Sequence, residues 1–506
     1  MKNKMTNGIL GVLWVVGLLW AAPSLFGQDT NTAEIIRQLQ KRIDDLELKV
    51  KQLEGAKPAA PPPENPERVQ ELEQKVKVLE RNRELDIEAA AAKAKEAPKI
   101  TAGSDGLGIA SADGAFALRL KGVLQVDSRS FFEDNIKGND SILLRRARPI
   151  VEGTLFRDFD FQFVPDFGGT SSPQIFDAWL NYRYNPALQL QAGKFKSPIG
   201  LEQLQSDIDI TFNERALPTA LVPNRDLGFE LHGDLFDGIA SYAAGIFNGV
   251  GDARNSSNAD FEDDKAVEGR LFFLPFKKSS SPALQQIGFG VSGSYEGMQG
   301  TNTTGLPNTT GGTLAGFATD GQQQFFAYNP ASNAVVVASG EHWRISPQGY
   351  YYYGPFGLMG EYVISDQKVS RTVTAPFRSA RLENTAWQVT ASWVLTGEDA
   401  GFKKVVPRRP FNPMEGDWGA FQIAARYAEL HVDDDAFPLF SNPNTSASSA
   451  KAWSVGLNWY LNKNFAFKTS FSRTVFDGGG GAGASAPAAV TRKDENVLFT
   501  RVQLSF

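Results

Sequence analysis

The sequence predicts an all-β membrane protein, an antiparallel transmembrane β-barrel of about sixteen strands with an N-terminal α-helical coiled-coil segment. Three observations predict it. Across residues 117–506 large apolar side chains recur at every second position. Beyond the N-terminus no apolar run is long enough for a membrane helix. Cysteine is absent, so stability has to come from a large hydrogen-bonded assembly rather than from disulfides.

Residues 1–27 read as a signal peptide. Lys2 and Lys4 precede an apolar stretch from Ile9 to Trp20, and small or helix-breaking residues follow to Gly27. That order is the export signature, with cleavage expected between Ala22 and Gln28. A short membrane anchor is the alternative, although the apolar stretch is short for a span.

Residues 28–99 read as a periplasmic coiled coil with a hinge. Ile36, Leu39, Ile43, Leu46, Val50 and Leu53 are spaced by threes and fours with charged residues between them, which is a heptad seam. Proline and alanine over 56–66 interrupt it, because proline lacks an amide hydrogen and clashes with the preceding turn. Val69, Leu72, Val76 and Leu79 resume the seam. β-Branched residues at one seam position with leucine at the other favour a parallel pair of helices. A solvated helix with a chance stripe is the alternative.

From residue 117 the period is two. Trp453, Val455, Leu457, Trp459 and Leu461 alternate with Ser454, Gly456, Asn458 and Tyr460, so one face suits lipid and the other suits water. Phe465, Phe467 and Phe471 repeat the pattern against Lys468, Ser470 and Ser472, and only Asn462, Lys463 and Asn464 separate the two runs. That is a hairpin length. Leu118, Leu120, Leu124 and Val126 alternate likewise near the start, and Leu498, Thr500, Val502, Leu504 and Phe506 at the end. Hydrocarbon offers backbone amides no partner, so such strands have to close on one another.

Aromatics such as Trp343, Tyr362, Trp393, Tyr427, Trp453 and Trp459 are expected near the membrane interfaces. Connections are of two kinds: short turns at Asn185–Pro186 and 462–464, and long polar segments at 297–340, 398–416 and 432–450. The pattern predicts short periplasmic turns and long outer loops. A soluble β-sandwich or propeller is the competing architecture, and it would bury the apolar faces against each other.

A net charge of −6 leaves no footprint for nucleic acid. His232, His342 and His431 are the three histidines; they are far apart and lack metal-ligand spacing. No nucleophile motif accompanies them, so neither a catalytic residue nor a cofactor is assigned. The glycines from Gly288 to Gly293 resemble a dinucleotide-binding pattern by chance, since they lie within an alternating strand.

The stretch 143–249 resembles the phosphate-selective porin O and P family. The residues that carry the likeness are Arg145-Arg146-Ala147-Arg148, Asp177-Ala178-Trp179, Gly193-Lys194-Phe195-Lys196-Ser197-Pro198, Leu201-Glu202-Gln203-Leu204, Phe212-Asn213-Glu214-Arg215, Leu221-Val222-Pro223 and Arg225-Asp226-Leu227-Gly228. Gly245-Ile246-Phe247-Asn248-Gly249, Trp393-Val394-Leu395-Thr396-Gly397-Glu398 and Asn458-Trp459-Tyr460-Leu461-Asn462 continue it. The likeness spans most of the chain from Leu118 onward and excludes the N-terminal helices. It implies a sixteen-stranded trimeric outer-membrane channel with a constriction loop over about 197–224, passing small anions such as phosphate. The implied homotrimer disagrees with the two-helix preference of the seam.

Alternation places Arg119, Lys121 and Arg129 on the water side of the first strand and Arg146 with Arg148 on that side of the second, with Arg145 on the other face or at the rim. Guanidiniums suit phosphate because their planar donors pair with its oxygens. The resemblance adds Ser206 and Arg215 as anion contacts and Asp177 as an orienting acceptor. Lys194 and Lys196 stand at the loop entrance, either as further cations or snorkelling to headgroups. Two departures oppose tight phosphate binding: Gln203 stands where selective members carry a lysine, and Asp207 adds a carboxylate. The reading is passive diffusion through an outer-membrane pore in contact with lipid, with pore polarity balanced by acids as the plainer account of the basic residues. A structural tether of the envelope and a barrel enzyme are the alternatives.

Overall fold

The computed structural model describes residues 66–506 apart from 133–137, 170–171, 259–262, 300–313, 330–334, 372–377 and 482–490, together with 41, 44, 47–49 and 51. It divides into two units, 1–96 and 97–506. In the first, α1 (Pro66–Glu96) opens with a proline and an acidic first turn, both favoured at a helix N-terminus. The second heptad block lies on α1, with Val69, Leu72, Val76 and Leu79 all exposed in the single chain. The first block, Ile36 to Leu53, lies outside the described residues.

The sheet unit begins with β1 (Lys99–Gly103) and β2 (Gly106–Ala110), a hairpin that sequence reasoning missed because it is five residues a side. Then come β3 (Ala117–Phe131), β4 (Ser141–Leu155), β5 (Phe159–Asp166), β6 (Gln174–Asn185), β7 (Leu188–Lys196), β8 (Arg225–Leu235), β9 (Ala240–Phe247), β10 (Ala266–Phe273) and β11 (Ile287–Gln299). A ribbon of β12 (Phe317–Ala318) and β13 (Gln324–Phe326) precedes β14 (Val336–Tyr353), β15 (Phe356–Arg371), β16 (Arg378–Val394), β17 (Ala420–His431), β18 (Ala447–Tyr460), β19 (Phe465–Gly478) and β20 (Glu495–Ser505).

Apart from the hairpin and the ribbon, the strands form a closed antiparallel barrel of 16. Each pairs with its neighbour in sequence, and β20 returns to β3 in register from Val497↔Phe131 to Ser505↔Val123. Gly122 and Phe506 exchange backbone hydrogen bonds of 2.9 and 3.0 Å at the end of that seam. The Phe506 ring lies so close over Gly122 that a Cβ there would meet it at 2.8 Å, so a larger residue at that point would have to displace the ring.

The outer face is apolar. Leu124, Val126, Phe229, Ile246, Val389, Val455 and Leu457 are exposed, the band a barrel presents to hydrocarbon. Among the described residues no helix is long and apolar enough to cross a membrane; the crossing is made by strands. Two aromatic clusters lie on β16–β19: Trp387, Tyr427 and Trp453 pack at a tilt at 5.1 and 4.3 Å, and Phe421, Trp459 and Phe467 stack at 5.6 and 5.7 Å. Trp453 and Trp459 share β18, six residues and about 20 Å apart.

The interior is less uniformly polar than alternation suggests. Inward-facing Val363, Ala386, Ala428, Leu430, Ala450 and Ala452 form one apolar cluster with Ile199, Leu217 and Leu221 of segment 197–224 and with Phe317, Phe325 and Phe326 of the ribbon. Folded-in segments therefore fill the lumen along β15–β18. Connection 395–419 differs from expectation too. It joins β16 to β17 at the end of the barrel that carries the short turns 156–158, 186–187 and 461–464, not at the end of the long loops. Its Ala400 and Val405 pack with Tyr352 and Tyr460.

Candidate pore constriction

Segment 197–224 leaves β7 and crosses the lumen. Its first turn, α2 (Leu201–Leu204), is received by Glu361 of β15, whose carboxylate accepts the Leu201 and Glu202 amides at 2.6 and 3.3 Å. Beyond α2 the segment is mostly irregular, so its carbonyls find no ladder partners and need donors from elsewhere. The wall supplies them. Lys196 Nζ donates to Gln205 O (2.5 Å), Gln125 to Asp207 O (3.0 Å), Gln503 to Ile208 O (3.2 Å), Lys468 to Ile210 O (2.6 Å) and Asn458 to Thr211 O (2.9 Å). From below, connection 395–419 contributes the Phe402 carbonyl to Gln205 Nε2 (2.8 Å) and the Lys404 amide to Asp209 Oδ1 (3.1 Å).

Two carboxylates of the segment sit in arginine cages. Glu214 takes Arg145 through both oxygens (2.6 and 3.0 Å), Arg129 at 3.1 Å and Arg501 at 3.5 Å. Asp207 takes Arg148 on one oxygen, and Arg215 and Arg146 (3.3 Å) on the other. Burial alone would raise both carboxyls, but the surrounding guanidiniums outweigh it and hold both well below the usual carboxylate range. Asp127 pairs bidentately with Arg501 (2.7 Å twice), Asp166 with Arg148 (2.6 Å) and Asp177 with Arg225 (3.2 Å). Seven guanidiniums thus face five carboxylates in this cluster, a surplus of two positive charges.

Five of the sequence-derived candidates, Arg129, Arg145, Arg146, Arg148 and Arg215, converge on the two caged carboxylates. Arg145 faces the lumen, not the lipid or the rim. The register steps from Gln125↔Arg146 to Val126↔Leu144, so Arg145 is the extra residue of a β-bulge, and a bulge re-aims the side chain it carries. Asp177 accepts from Arg225. Lys194 is buried and donates to Ser256 O (2.6 Å) and Asn258 Oδ1 (3.2 Å), and Lys196 donates to the loop. Arg119 and Lys121 pair with Glu152 (3.8 and 2.5 Å) near the short-turn end, away from the cluster. Ser206 is exposed, and its carbonyl accepts the Asp209 and Ile210 amides.

Sequence reasoning did not single out Glu214, Arg225 or Arg501 as site residues. The first two lie in family-like motifs, and Arg501 is on the inward face of an alternating strand, so position was available as a signal. Partnership was not.

Open space remains around the arginine cluster and beyond it. A cavity of about 200 Å³ is lined by Arg146, Arg148, Phe176, Asp207, Arg215 and Arg225. A second, of about 210 Å³, shares Arg145, Arg146 and Arg215 with it and reaches Thr219 and Asp320. A third, of about 210 Å³, lies beside Lys196, Glu230, His232 and Arg270.

Residues 118–506 match the family described as phosphate-selective porin O and P. The chain is similar to Porin O of Pseudomonas aeruginosa, with 26% identity over 397 residues, 74% of this chain and 86% of that protein. Among solved structures, the outer membrane channel DcaP of Acinetobacter baumannii is 11% identical with a TM-score of 0.48, over 78% of this chain and 98% of that one. The trimer form of the outer membrane protein OmpT of Vibrio cholerae is 8% identical with a TM-score of 0.45, over 78% and 100%.

Proposed function

Since the chain belongs to the phosphate-selective porin O and P family and is an outer-membrane porin channel, we propose that it passes small anions, phosphate among them, passively down their gradients. The observation that carries this reading is the surplus of guanidinium over carboxylate in the cluster around Asp207 and Glu214, with two of the cavities lined by its arginines. A narrow pore in a low-dielectric wall focuses the field of a few charges, so local arrangement outweighs the net charge of the chain. Guanidiniums also offer paired donors to oxyanions as these shed water.

Zero-current potentials across a planar bilayer in a salt gradient, with potassium chloride and then potassium phosphate, test the reading. The expected sign is anion preference in both salts; cation preference would remove the anion assignment. The working assembly is a homotrimer exported by the signal peptide, its short turns and helices on the periplasmic side. The exposed stripe of α1 also suits a tethering or assembly role beside transport. A chain lacking residues 28–98 is expected to conduct as the parent does, and loss of conductance would make the helices part of the channel.

A further inference from the structure

Asp207 sits at the meeting point of three guanidiniums beside a cavity. Three guanidiniums converge on its two oxygens, and each is also held by something else. Arg146 donates to Gln125 Oε1 at 2.7 Å, and Arg148 donates from Nε to Asp166 at 2.6 Å. Arg215 donates to the carbonyls of Glu202 (3.2 Å) and Gln205 (2.7 Å). Arg148 is braced further by stacking: its guanidinium carbon lies 3.7 Å from the centre of the Phe176 ring, and that of Arg225 lies 3.6 Å from the same centre. Two guanidiniums cannot share one ring face at that range, so Phe176 is sandwiched between them. Each of the three guanidiniums therefore keeps a second partner besides Asp207, and the cage opens onto the 200 Å³ cavity.

We infer that Asp207 is a tethered stand-in for the permeating anion: Arg146, Arg148 and Arg215 form an oxyanion site that the protein fills with its own carboxylate. This deepens the anion-channel reading and rests on it. A carboxylate fixed to the loop competes with every incoming oxyanion at high effective concentration. Ions thus pass the cage without being retained, and the channel shows little saturation. Asp207 is in this sense a specificity-determining residue, set against tight binding.

Inorganic phosphate is the probe, added to full-length channels carrying chloride current in a planar bilayer. In Asp207→Ala, which vacates the space, half-maximal block by phosphate is expected at a concentration lower than in the parent by at least about tenfold, equivalent to about 1.4 kcal/mol. In Asp207→Asn the charge is gone but the space stays filled, and a smaller strengthening in the same direction is expected. Adding Arg215→Gln to the alanine variant removes the gain. Unchanged phosphate block in whichever of the two Asp207 variants folds would overturn the inference, as would a gain that survives Arg215→Gln. The parent's zero-current potential in phosphate-free potassium chloride is read in the same membrane. Cation preference there sinks the anion-channel reading, whereas anion preference with unchanged block sinks only the stand-in.

Discussion

Replacing Glu214 with glutamine removes one charge from a nearly isosteric side chain and tests how the loop is seated. Glu214 is buried and caged by Arg145, Arg129 and Arg501 at 2.6–3.5 Å. Breaking a buried ion pair by removing one partner costs about 3–5 kcal/mol. Two features lower that here. Arg501 keeps its bidentate bond to Asp127, and the Arg145 side chain is 22% exposed, so water can reach it. We therefore expect about 2–3 kcal/mol, which raises amide exchange across 205–217 by about 30- to 150-fold if opening is local. The surplus in the cluster rises from two to three, so the zero-current potential moves toward the chloride limit. Hydrogen exchange by mass spectrometry and bilayer recordings read the two effects. Unchanged loop exchange would refute the seating argument, and a shift toward cation preference would refute the charge count.

Two further outcomes are expected. Asp207 and Glu214 have carboxyls held below their unfolded values, so their contribution to loop seating is complete above about pH 5, declines below that and is gone once pH has fallen through the lower folded values; loop exchange, corrected for its intrinsic pH dependence, should match at pH 7 and pH 5, and a loss between them would contradict the cages. Lys468→Met removes the donor to Ile210 O and leaves that buried carbonyl unpaired, at a cost of about 1–3 kcal/mol. Exchange should rise around 208–212 while the thermal transition of the barrel changes little, and an unaffected loop would assign Lys468 to the pore rather than to the loop.

The barrel was legible because lipid and lumen impose a period of two on every crossing strand, so Leu124 and Gln125, or Val502 and Gln503, declare their faces without any partner being known. The loop that carries the site was legible through family-like motifs. Alternation reports a face, however, and not what meets it. Gln125, Asn458, Lys468 and Gln503 read as water-lining and instead hold loop carbonyls, and Val363 and Ala386 point inward because a loop covers them. Arg145 escaped because one inserted residue shifts every assignment beyond it. Connection 395–419 escaped because deciding which end of the barrel a segment occupies needs every strand before it counted correctly.

The seam between β3 and β20 carries a consequence of its own. Gln125 and Arg129 on the first barrel strand, and Arg501 and Gln503 on the last, all grip segment 197–224. The segment acts as a rivet driven across the joint from inside, and its grip is complete only when both edges are present. An open seam would leave the segment held by only part of its wall, so closing the cylinder completes the seating of the piece that narrows its bore.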